Sequence, residues 1–357
     1  MPAHPAAANY PKVVSVHRQS FKPDPRAGEL SLLRRIRAYA PGSASSGLRL
    51  GIGDDCALLG LRPKEEAAVT TDLSIAGRHF RLDWHAAETV GHRALARGLS
   101  DLAAMGARPV AAFLSLGLPR ELTLARGRAK PWVERFYDGL LALAAAYKTP
   151  LAGGDLAESP LALADIVVVG AVPVGQALLR SGARPGDRLF VTGALGGAAA
   201  GLELLGKLAA RSNKPGPPRI SNQISLLLQP HLAPQPRLPQ GQWLRQRGAA
   251  SAAIDLSDGL STDLMHICEE SGVAAEVDAA ALPLHAGASL EQALHGGEDY
   301  ELLFTAPPTT RLPRSINGVP ITCIGRIRKR RAGRPLVALL TPEGAQILEP
   351  RGWQHFC

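Results

Sequence analysis

The spacing of apolar residues in the first half of the chain predicts helices that alternate with strands. Apolar positions recur at intervals of three and four over residues 86–105 and 131–147, a pattern typical of helices that bury one face. Shorter apolar runs at residues 67–71, 110–116 and 165–172 have the length and composition of strands. We therefore expect an α/β or α+β domain in this half of the chain.

A second series of strands and helices is predicted in the other half. Strands are expected at residues 188–191, 252–256 and 300–305, and helices at residues 197–210 and 263–271. This mixture again indicates an α+β domain. The sequence thus predicts two domains, which a length of 357 residues also favours.

Segments without regular periodicity define the expected limits of these domains. Residues 1–27, rich in Ala and Pro, are predicted to be a disordered extension, followed by domains at residues 28–175 and 176–357. In the second domain, the Pro-, Gln- and Asn-rich residues 211–241 are expected to form a long connection with one short helix. The basic residues 326–334 are expected to join two late strands.

The formal net charge of +9 comes from two short segments rather than from a basic surface. Residues 1–28 contribute +3 and residues 326–334 contribute +6, so the rest of the chain is formally neutral. A nucleic-acid-binding domain spreads basic residues over a folded face and adds aromatic residues or a known reading motif. We expect no nucleic-acid partner and interpret residues 326–334 as a solvated hairpin or loop, with an anion- or RNA-binding patch as the alternative.

Cysteine usage and the lengths of apolar segments limit the cellular compartments in which we expect the protein. The four cysteines, Cys56, Cys268, Cys323 and Cys357, are widely separated and form no CxxC pair, which argues against a disulfide scaffold or a structural zinc site. No apolar run approaches the length of a membrane span, and residues 1–27 lack the continuous apolar core of a secretory signal. We therefore expect a cytoplasmic protein without a membrane partner.

The chemically informative feature is a series of carboxylates at the ends of predicted strands and in glycine-rich turns. Six acidic clusters occur, at residues 53–55 (GDD), 70–72 (TTD), 100–101 (SD), 153–155 (GGD), 255–259 (DLSDG) and 297–300 (GEDY). One such cluster alone is explained by a turn or a helix cap. Six of them, most with Gly, Ser or Thr beside the acid, indicate that the carboxylates converge on one site.

Converging carboxylates repel one another unless cations lie between them. Mg²⁺ prefers oxygen ligands, usually one or two carboxylates together with waters and substrate phosphates. The hydroxyls of Thr70, Thr71 and Ser257 extend the same oxygen-only set, and no HExxH spacing competes for zinc. The chemistry that these residues predict is metal-assisted phosphoryl transfer.

Two glycine-rich segments imitate nucleotide-binding motifs without meeting their requirements. Residues 201–207 match GxxxxGK, but Leu208 stands where Ser or Thr would hold the metal, and the segment lies inside a predicted helix. The turn at residues 192–197 follows a strand and opens a helix, which suits the approach of a phosphate, yet it lacks the GxGxxG pattern. We expect neither a P-loop nor a dinucleotide site, and the absence of HRD and DFG excludes a protein-kinase fold.

Taken together and in this order, the acidic clusters resemble those of the thiamine-monophosphate kinase family, in the superfamily that includes aminoimidazole ribonucleotide synthetase. The matching motifs are GIGDD (51–55), TTD (70–72), LSDLAAMG (99–106), GGD (153–155), RSGA (180–183), IDLSDGL (254–260) and GGEDYE (296–301). The resemblance extends over residues 28–356. The combination is specific, although each short motif is weak alone.

The resemblance implies a two-domain α/β (α+β) architecture. A ferredoxin-like, PurM-type N-terminal domain dimerises, a C-terminal α+β domain folds against it, and the active site lies in the cleft between them. It also implies a homodimer that transfers the γ-phosphoryl group of ATP to thiamine monophosphate, giving thiamine diphosphate in the last step of its biosynthesis. Several Mg²⁺ ions and a direct in-line transfer belong to the same expectation, because an anionic acceptor needs charge neutralisation more than a base.

Carried over position by position, the resemblance implies the site residues. The metal ligands would be Asp55, Thr70, Thr71, Asp72, Asp101, Asp155, Asp255 and Asp258. Nucleotide contacts fall on Gly154, Asp155, Arg180 and Ser257, and catalysis falls on Asp155, Arg180 and Asp258. Thiamine-side contacts fall on His79, Glu298 and Trp353, where a carboxylate and an aromatic face suit the thiazolium cation.

Two positions depart from the family pattern, and two other functions stay open at this point. The chain has Gly98 where the family commonly has Asn, and Leu156 where it commonly has Thr. A related ATP-using synthetase that activates a carbonyl or amide oxygen is one alternative. The other is a non-catalytic protein that binds divalent cations or nucleotides, in which replacing Asp155 or Asp258 weakens ion binding only.

Overall fold

A computed structural model of the protein describes residues 35–38, 47–52, 55–125, 127, 129–212, 216–218 and 220–353. Within these residues the chain forms a four-stranded sheet, an eight-stranded sheet and a small two-stranded hairpin. The predicted extension, residues 1–27, lies outside the described residues. No helix in the described part of the chain is both long and apolar enough to cross a lipid bilayer.

The first sheet carries several of the acidic clusters. The hairpin strands β1 (Leu48–Leu50) and β2 (Leu58–Leu59) are followed by β3 (Glu65–Ile75), β4 (Arg108–Leu118), β5 (Leu151–Glu158) and β6 (Leu163–Pro173). The sheet order is β3-β6-β4-β5, with β4 and β5 parallel and the other neighbours antiparallel. Helix α1 (Ala87–Ala104) packs on β3 and β6, and helix α2 (Trp132–Ala146) packs on α1.

The second sheet is built from the strands after residue 187. These are β7 (Arg188–Thr192), β8 (Ala252–Asp255), β9 (Val273–Asp278), β10 (Leu302–Ala306), β11 (Ser315–Ile316), β12 (Val319–Lys329), β13 (Val337–Thr341) and β14 (Gly344–Ile347). Their order is β14-β13-β9-β12-β7-β10-β8, and β11 pairs with β12. The helices of this part are α3 (Gly197–Ala210), α4 (Asn222–Leu232), α5 (Leu238–Gln246), α6 (Leu260–Ser271) and α7 (Leu290–His295).

Helix α1 lies between the two sheets. Its residues Leu95, Leu99 and Leu102 are buried, and the helix contacts β3 and β6 on one side and β8 and α5 on the other. The same apolar core includes Phe190 and Phe304 of the second sheet, whose stacked rings lie 5.4 Å apart. Polar side chains near the end of α1 can therefore reach groups on both sheets.

The helices expected at residues 86–105, 131–147 and 197–210 correspond to α1, α2 and α3. The predicted segment 201–207, which imitates a P-loop, lies inside α3 as expected. The structure adds elements that periodicity did not reveal, among them β5 and β9. Strand β5 includes two glycines and two acids, LAGGDLAE, and such a strand has too little apolar alternation to be recognised.

The prediction of one short helix within residues 211–241 is wrong, because α4 and the start of α5 both lie there. Their prolines occupy tolerated places. Pro239 is in the first turn of α5, where its missing N–H is not needed, and Pro230 is near the end of α4. Leu228 and Leu238 are buried, so tertiary packing stabilises helices that the polar composition disguised.

Residues 326–334, interpreted as a solvated hairpin or loop, begin inside a strand. Strand β12 continues to Lys329, and a connection follows before β13. Arg326 and Arg328 lie opposite β9 and pair with Glu276 at 2.8 and 3.4 Å. Cross-strand charge pairing thus extends the strand into the basic run.

Helices α1 and α2 approach so closely that glycine is required where they cross. A Cβ atom on Gly91 would lie 1.9 Å from the carbonyl oxygen of Phe136, and one on Gly139 would lie 1.9 Å from that of Glu88. We expect G91A to lower the free energy of unfolding by about 3 kcal/mol, because α2 must move and open the core beneath it. Denaturant unfolding followed by circular dichroism measures the loss.

G206A on α3 is the matched control for this helix substitution. Its added methyl group would meet only the ring of Trp84, at 3.1 Å. Alanine is the better helix former, so G206A should be neutral or slightly stabilising. If G91A were as stable as G206A, the close crossing of α1 and α2 would be incorrect.

Candidate active site

Two adjacent residues of α1 contact acidic and hydroxyl groups from both sheets. Ser100 Oγ donates a hydrogen bond to Asp255 Oδ2 at 2.7 Å, at the end of β8. Asp101, the next residue, accepts a hydrogen bond from Thr70 Oγ1 on β3. Burial raises the pKa of Asp255, and the negative charge of Asp101 raises it further. The two carboxylates thus meet beside α1 in surroundings that favour a cation.

Arg180 brings a positive charge to the same place. Its side chain is exposed, and its carbonyl oxygen accepts a hydrogen bond from Ser271 Oγ at 3.0 Å. Burial raises the pKa of both Asp101 and Asp255, and the Arg180 guanidinium acts against that effect at both groups. An exposed guanidinium beside buried carboxylates is well suited to receive an anionic phosphate.

Asp72, two residues after Thr70 on β3, also faces α1. Arg97 Nη2 lies 2.7 Å from Asp72 Oδ1, which makes a partly buried ion pair. Burial nevertheless raises the pKa of Asp72, and the charges of Glu298 and Asp165 act in the same direction. Asp72 therefore connects the Asp101–Asp255 region with the loop that carries Glu298.

Thr71 and Asp155 belong to a different group of residues. Side chains alternate along a strand, so Thr71 points away from α1 and donates to Asp165 Oδ1 at 3.0 Å. Strand register aligns Asp165 with Ser115 and Ser115 with Asp155. Asp155 is exposed, and its Oδ1 accepts a hydrogen bond from the N–H of Leu156 at 2.8 Å. The structure thus groups Thr71 and Asp155 with Asp165 rather than with Asp101.

Gly154 and Asp55 lie at exposed positions of the first half of the chain. Gly154 has φ of 147°, and a Cβ there would lie 1.9 Å from the carbonyl oxygen of Leu114, so no other residue fits. An exposed backbone without a side chain suits the close approach of a phosphate. Asp55 lies in the connection between β1 and β2.

The loop between β8 and α6 is held by a carboxylate that sequence analysis missed. Asp263 Oδ2 accepts hydrogen bonds from the N–H groups of Ser257, Asp258 and Gly259 at 3.1, 3.1 and 3.0 Å. Trp353 is 51% exposed, and its backbone N–H donates to the carbonyl oxygen of Asp258 at 3.1 Å. The structure thus brings three predicted residues, Ser257, Asp258 and Trp353, to one loop.

The Gly-Gly-Glu-Asp-Tyr loop contains two residues in a backbone conformation that side chains rarely adopt. Glu298 has φ of 68° and Tyr300 has φ of 51°. Such strain persists only where surrounding contacts impose it, and it is common at functional sites. Arg93 Nη2 contacts Glu298 Oε1 at 2.6 Å. Burial opposes ionisation of Glu298, but Arg93 and His231 outweigh it and hold its pKa below the usual range.

Asp299 fills the glycine-rich turn that imitates a phosphate-binding loop. Its carboxylate accepts hydrogen bonds from the N–H groups of Gly196 and Ala198 at 2.6 and 3.0 Å. These are the amides at the start of α3 that a phosphate would otherwise contact. In this structure a carboxylate of the chain itself therefore occupies the amides of the turn at residues 192–197.

His79 lies beside a small hollow between the two ion pairs of α1. Its Nδ1 accepts a hydrogen bond from the N–H of Ile75 at 3.1 Å, and its carbonyl oxygen accepts one from Arg93 at 3.3 Å. The residues that line the hollow are Ser74, His79, Phe80, Val90, Arg93 and Arg97. The structure thus places His79 near Arg93, the partner of Glu298.

Arg93 and Arg97 also escaped sequence analysis, although a signal was present. They are four residues apart on α1, so they share the face that is otherwise apolar. Arginine is almost never fully buried without a partner, and Arg93 is 5% exposed. Two basic residues on the buried stripe of a helix indicate buried acids opposite them.

Among the described residues, no three His, Cys, Asp or Glu side chains come close enough to hold one metal ion. The groups that do meet are oxygen donors, from Thr70, Asp101 and Asp255, with the guanidinium of Arg180 nearby. This arrangement can bind a polyanion together with a hard cation.

Comparison with known proteins identifies relatives over nearly the whole chain. A family model described as AIR synthase related protein, N-terminal domain, matches residues 53–177. The chain is 42% identical to thiamine-monophosphate kinase of Salmonella typhimurium, over 92% of this chain and 98% of that protein. The crystal structure of thiamine-monophosphate kinase from Stenotrophomonas maltophilia K279a is 38% identical, with a TM-score of 0.73 over 87% of this chain and 96% of that one.

A further solved structure, AaThiL complexed with AMPPCP and TMP, is 32% identical and has a TM-score of 0.70 over 92% of this chain and 97% of that one. The expected α/β (α+β) fold class is confirmed by these neighbours and by the two sheets with their packed helices. The resemblance carried by the acidic motifs is confirmed as well. The chain belongs to the thiamine-monophosphate kinase family.

Proposed function

We propose that this enzyme transfers the γ-phosphoryl group of ATP to thiamine monophosphate and forms thiamine diphosphate, as the last step of thiamine diphosphate biosynthesis. The observation that carries the proposal is the convergence of Asp101, Asp255 and Arg180 beside α1. It occurs in a chain that belongs to a kinase family, one member of which is known in complex with AMPPCP and TMP. AMPPCP resembles ATP, so the two reactants have counterparts in that complex.

The donor chemistry of the site fits Mg²⁺. Asp101, Asp255 and Thr70 offer only oxygen, and burial makes the two carboxylate charges costly until a cation accompanies them. The ligands that we propose are Asp55, Thr70, Thr71, Asp72, Asp101, Asp155, Asp255 and Asp258. Their separation into groups around Asp101 and around Asp165 favours more than one ion. Bound Mg²⁺ would neutralise phosphate charge during transfer.

The protein's own residues would orient the phosphates. Arg180 can donate two parallel hydrogen bonds to phosphate oxygens, and the open backbone at Gly154 allows close approach. Asp263 fixes the amides beside Ser257 and Asp258, so both side chains start from a rigid loop. The acceptor phosphate is already anionic, so a direct in-line transfer needs positioning and charge neutralisation rather than a strong base.

Glu298, His79 and Trp353 are proposed to bind the thiamine portion of the acceptor. Glu298 stays ionised because Arg93 and His231 outweigh the effect of burial, so it can attract the thiazolium cation. The exposed ring of Trp353 offers a face for cation–π contact. His79 lies near that loop, because Arg93 Nη2 contacts both the His79 carbonyl oxygen, at 3.3 Å, and Glu298 Oε1, at 2.6 Å.

We further propose a cytoplasmic homodimer with domains at residues 28–175 and 176–357 and no nucleic-acid or membrane partner. Support for dimerisation comes from the face of the first sheet that points away from α1. Val69 and Leu73 on β3 are 64% and 44% exposed there, and adjacent exposed apolar residues favour a protein interface.

The proposed function is tested by a coupled ADP-release assay with ATP and Mg²⁺. Thiamine monophosphate, free thiamine and a reaction without acceptor are compared, and the product is identified by mass. We expect ADP release only when thiamine monophosphate is the acceptor, with thiamine diphosphate as the product. Faster release with free thiamine would contradict the acceptor assignment. If neither thiamine monophosphate nor thiamine increased ADP release by folded protein, a synthetase related to the matched AIR synthase domain would be favoured.

A further inference from the structure

A buried network of side chains, which includes Arg93 and His231, lies behind Glu298. His85 precedes α1, Arg93 lies within α1, and His231 lies near the end of α4. All three are at most 5% exposed. The network thus joins three segments of the chain to the strained loop that carries Glu298.

Arg93 determines the proton position of the neighbouring imidazole. Its Nη1 lies 2.8 Å from His231 Nδ1, and a guanidinium N–H can only donate, so Nδ1 accepts and a neutral His231 carries its proton on Nε2. His231 Nε2 lies 2.9 Å from His85 Nε2, which must then accept. His85 therefore carries its proton on Nδ1, which lies 3.2 Å from the carbonyl oxygen and 3.1 Å from the backbone nitrogen of Arg81.

Neutral imidazoles are consistent with their surroundings. Burial lowers the pKa of His85 to about 3 and that of His231 to about 4, and the positive charge of Arg93 acts in the same direction at both. A second proton on the ring that accepts at the His85–His231 contact would place two donors against each other there. Both imidazoles are therefore expected to be neutral at neutral pH.

His231 holds Arg93 in place against the Glu298 carboxylate. Arg93 Nη1 donates to Nδ1 and to the carbonyl oxygen of His231, and Arg93 Nη2 contacts Glu298 Oε1 at 2.6 Å. His231 Nδ1 lies 3.5 Å from Oε2, the other oxygen of the carboxylate. A guanidinium that the imidazole fixes on one side orients the carboxylate on its other side.

We infer that His85 and His231 are positioning residues that orient Glu298 toward the cationic part of the acceptor. They touch neither reactant and act through the carboxylate and through Arg93. The inference rests on the proposed function, because it takes Glu298 as the group that binds the acceptor. It predicts that disturbing the network weakens acceptor binding and leaves the ATP side of the reaction intact.

Three variants test this role. H231N keeps an amide oxygen that can accept from Arg93 where Nδ1 lies, H231L removes this acceptor, and H85L removes the group that contacts His231 Nε2. We expect the KM for thiamine monophosphate to rise about tenfold in H231L and H85L, with kcat and the KM for ATP within about twofold of the wild type. H231N should restore the acceptor KM to within about threefold of the wild type.

The pattern of kinetic constants separates positioning from a purely structural role. A smaller folded fraction would lower the apparent kcat at constant KM, which is the opposite of the expected result. Unchanged acceptor KM in H85L and in whichever His231 variants fold, or H231N as impaired as H231L, would overturn the inference while wild-type activity stands. A wild type without activity on thiamine monophosphate would instead overturn the proposed function and the inference with it.

Discussion

Replacement of Asp255 by asparagine is expected to abolish phosphoryl transfer and, at the same time, to stabilise the folded chain. Asparagine keeps the oxygen that accepts from Ser100 but removes a buried charge that Asp101 repels. We expect kcat/KM to fall at least about 1,000-fold, the scale of losing a preorganised electrostatic group. The free energy of unfolding without metal should rise by about 1–2 kcal/mol at pH 8, because the carboxylate with a raised pKa no longer has to ionise.

The stability gain separates a functional carboxylate from a structural one. If Asp255 had a structural role, its substitution would lower the free energy of unfolding. A carboxylate that serves as a cation ligand close to Asp101 instead destabilises the fold until the cation binds. Mg²⁺ should therefore raise the melting temperature of the wild type more than that of D255N. Calorimetric melting with and without Mg²⁺ measures both effects.

D278N provides the matched control for this substitution. Asp278 is exposed, and its side chain accepts a hydrogen bond from the N–H of Ala280 at 3.0 Å, which asparagine can also accept. We expect wild-type turnover and stability from D278N. Turnover of D255N within tenfold of the wild type would remove Asp255 from the proposed metal ligands.

The acidic clusters were visible in the sequence because glycine, serine or threonine beside an acid at a strand end is a local signal. Their individual roles were not visible, because neighbouring acids of one motif face different partners. In the Gly-Gly-Glu-Asp-Tyr loop, Glu298 pairs with Arg93 of α1, whereas Asp299 binds the amides of Gly196 and Ala198. Only tertiary packing decides which acid of such a motif is available to a ligand.

Most of the residues that sequence analysis missed have partners that are distant in the chain. His85 and His231 are separated by 146 positions and meet at 2.9 Å. Asp263 lies within six residues of the amides that it binds, so its role as a carboxylate near the start of a helix could have been inferred from local rules. Helix and strand periodicity predicts which face is buried but does not predict which buried polar groups meet.

The stabilising contribution of neutral His85 and His231 is expected to be lost between pH 6.5 and about pH 4. Their pKa values are lowered from 6.5 to about 3 and about 4 in the folded chain. In this range these two histidines bind protons in the unfolded chain but not in the folded chain, so their contribution to stability is complete above pH 6.5 and falls as the pH decreases. Each histidine can contribute up to about 1.4 kcal/mol per pH unit within the window.

Buried carboxylates oppose this trend and must be separated from it. Burial raises the pKa of Asp299 to about 7, so its protonation favours the folded chain as the pH decreases. The total pH profile is therefore a sum of opposing contributions, and only a difference between two proteins isolates the histidines. H231N is suitable because it retains an acceptor for Arg93 but has no group that titrates in this range.

The measurement is the free energy of unfolding of wild type and H231N from pH 4 to pH 8, by denaturant titration. We expect the two curves to run parallel above pH 6.5. Below pH 6.5 the wild-type curve should be steeper by the slope that corresponds to about one bound proton, so the two curves converge. H285N is the control, because His285 lies outside the network and its Nδ1 contacts the backbone oxygen of the next residue. Parallel curves for wild type and H231N down to pH 4 would mean that His231 is protonated in the folded chain, and the proton assignments that orient Glu298 would then be wrong.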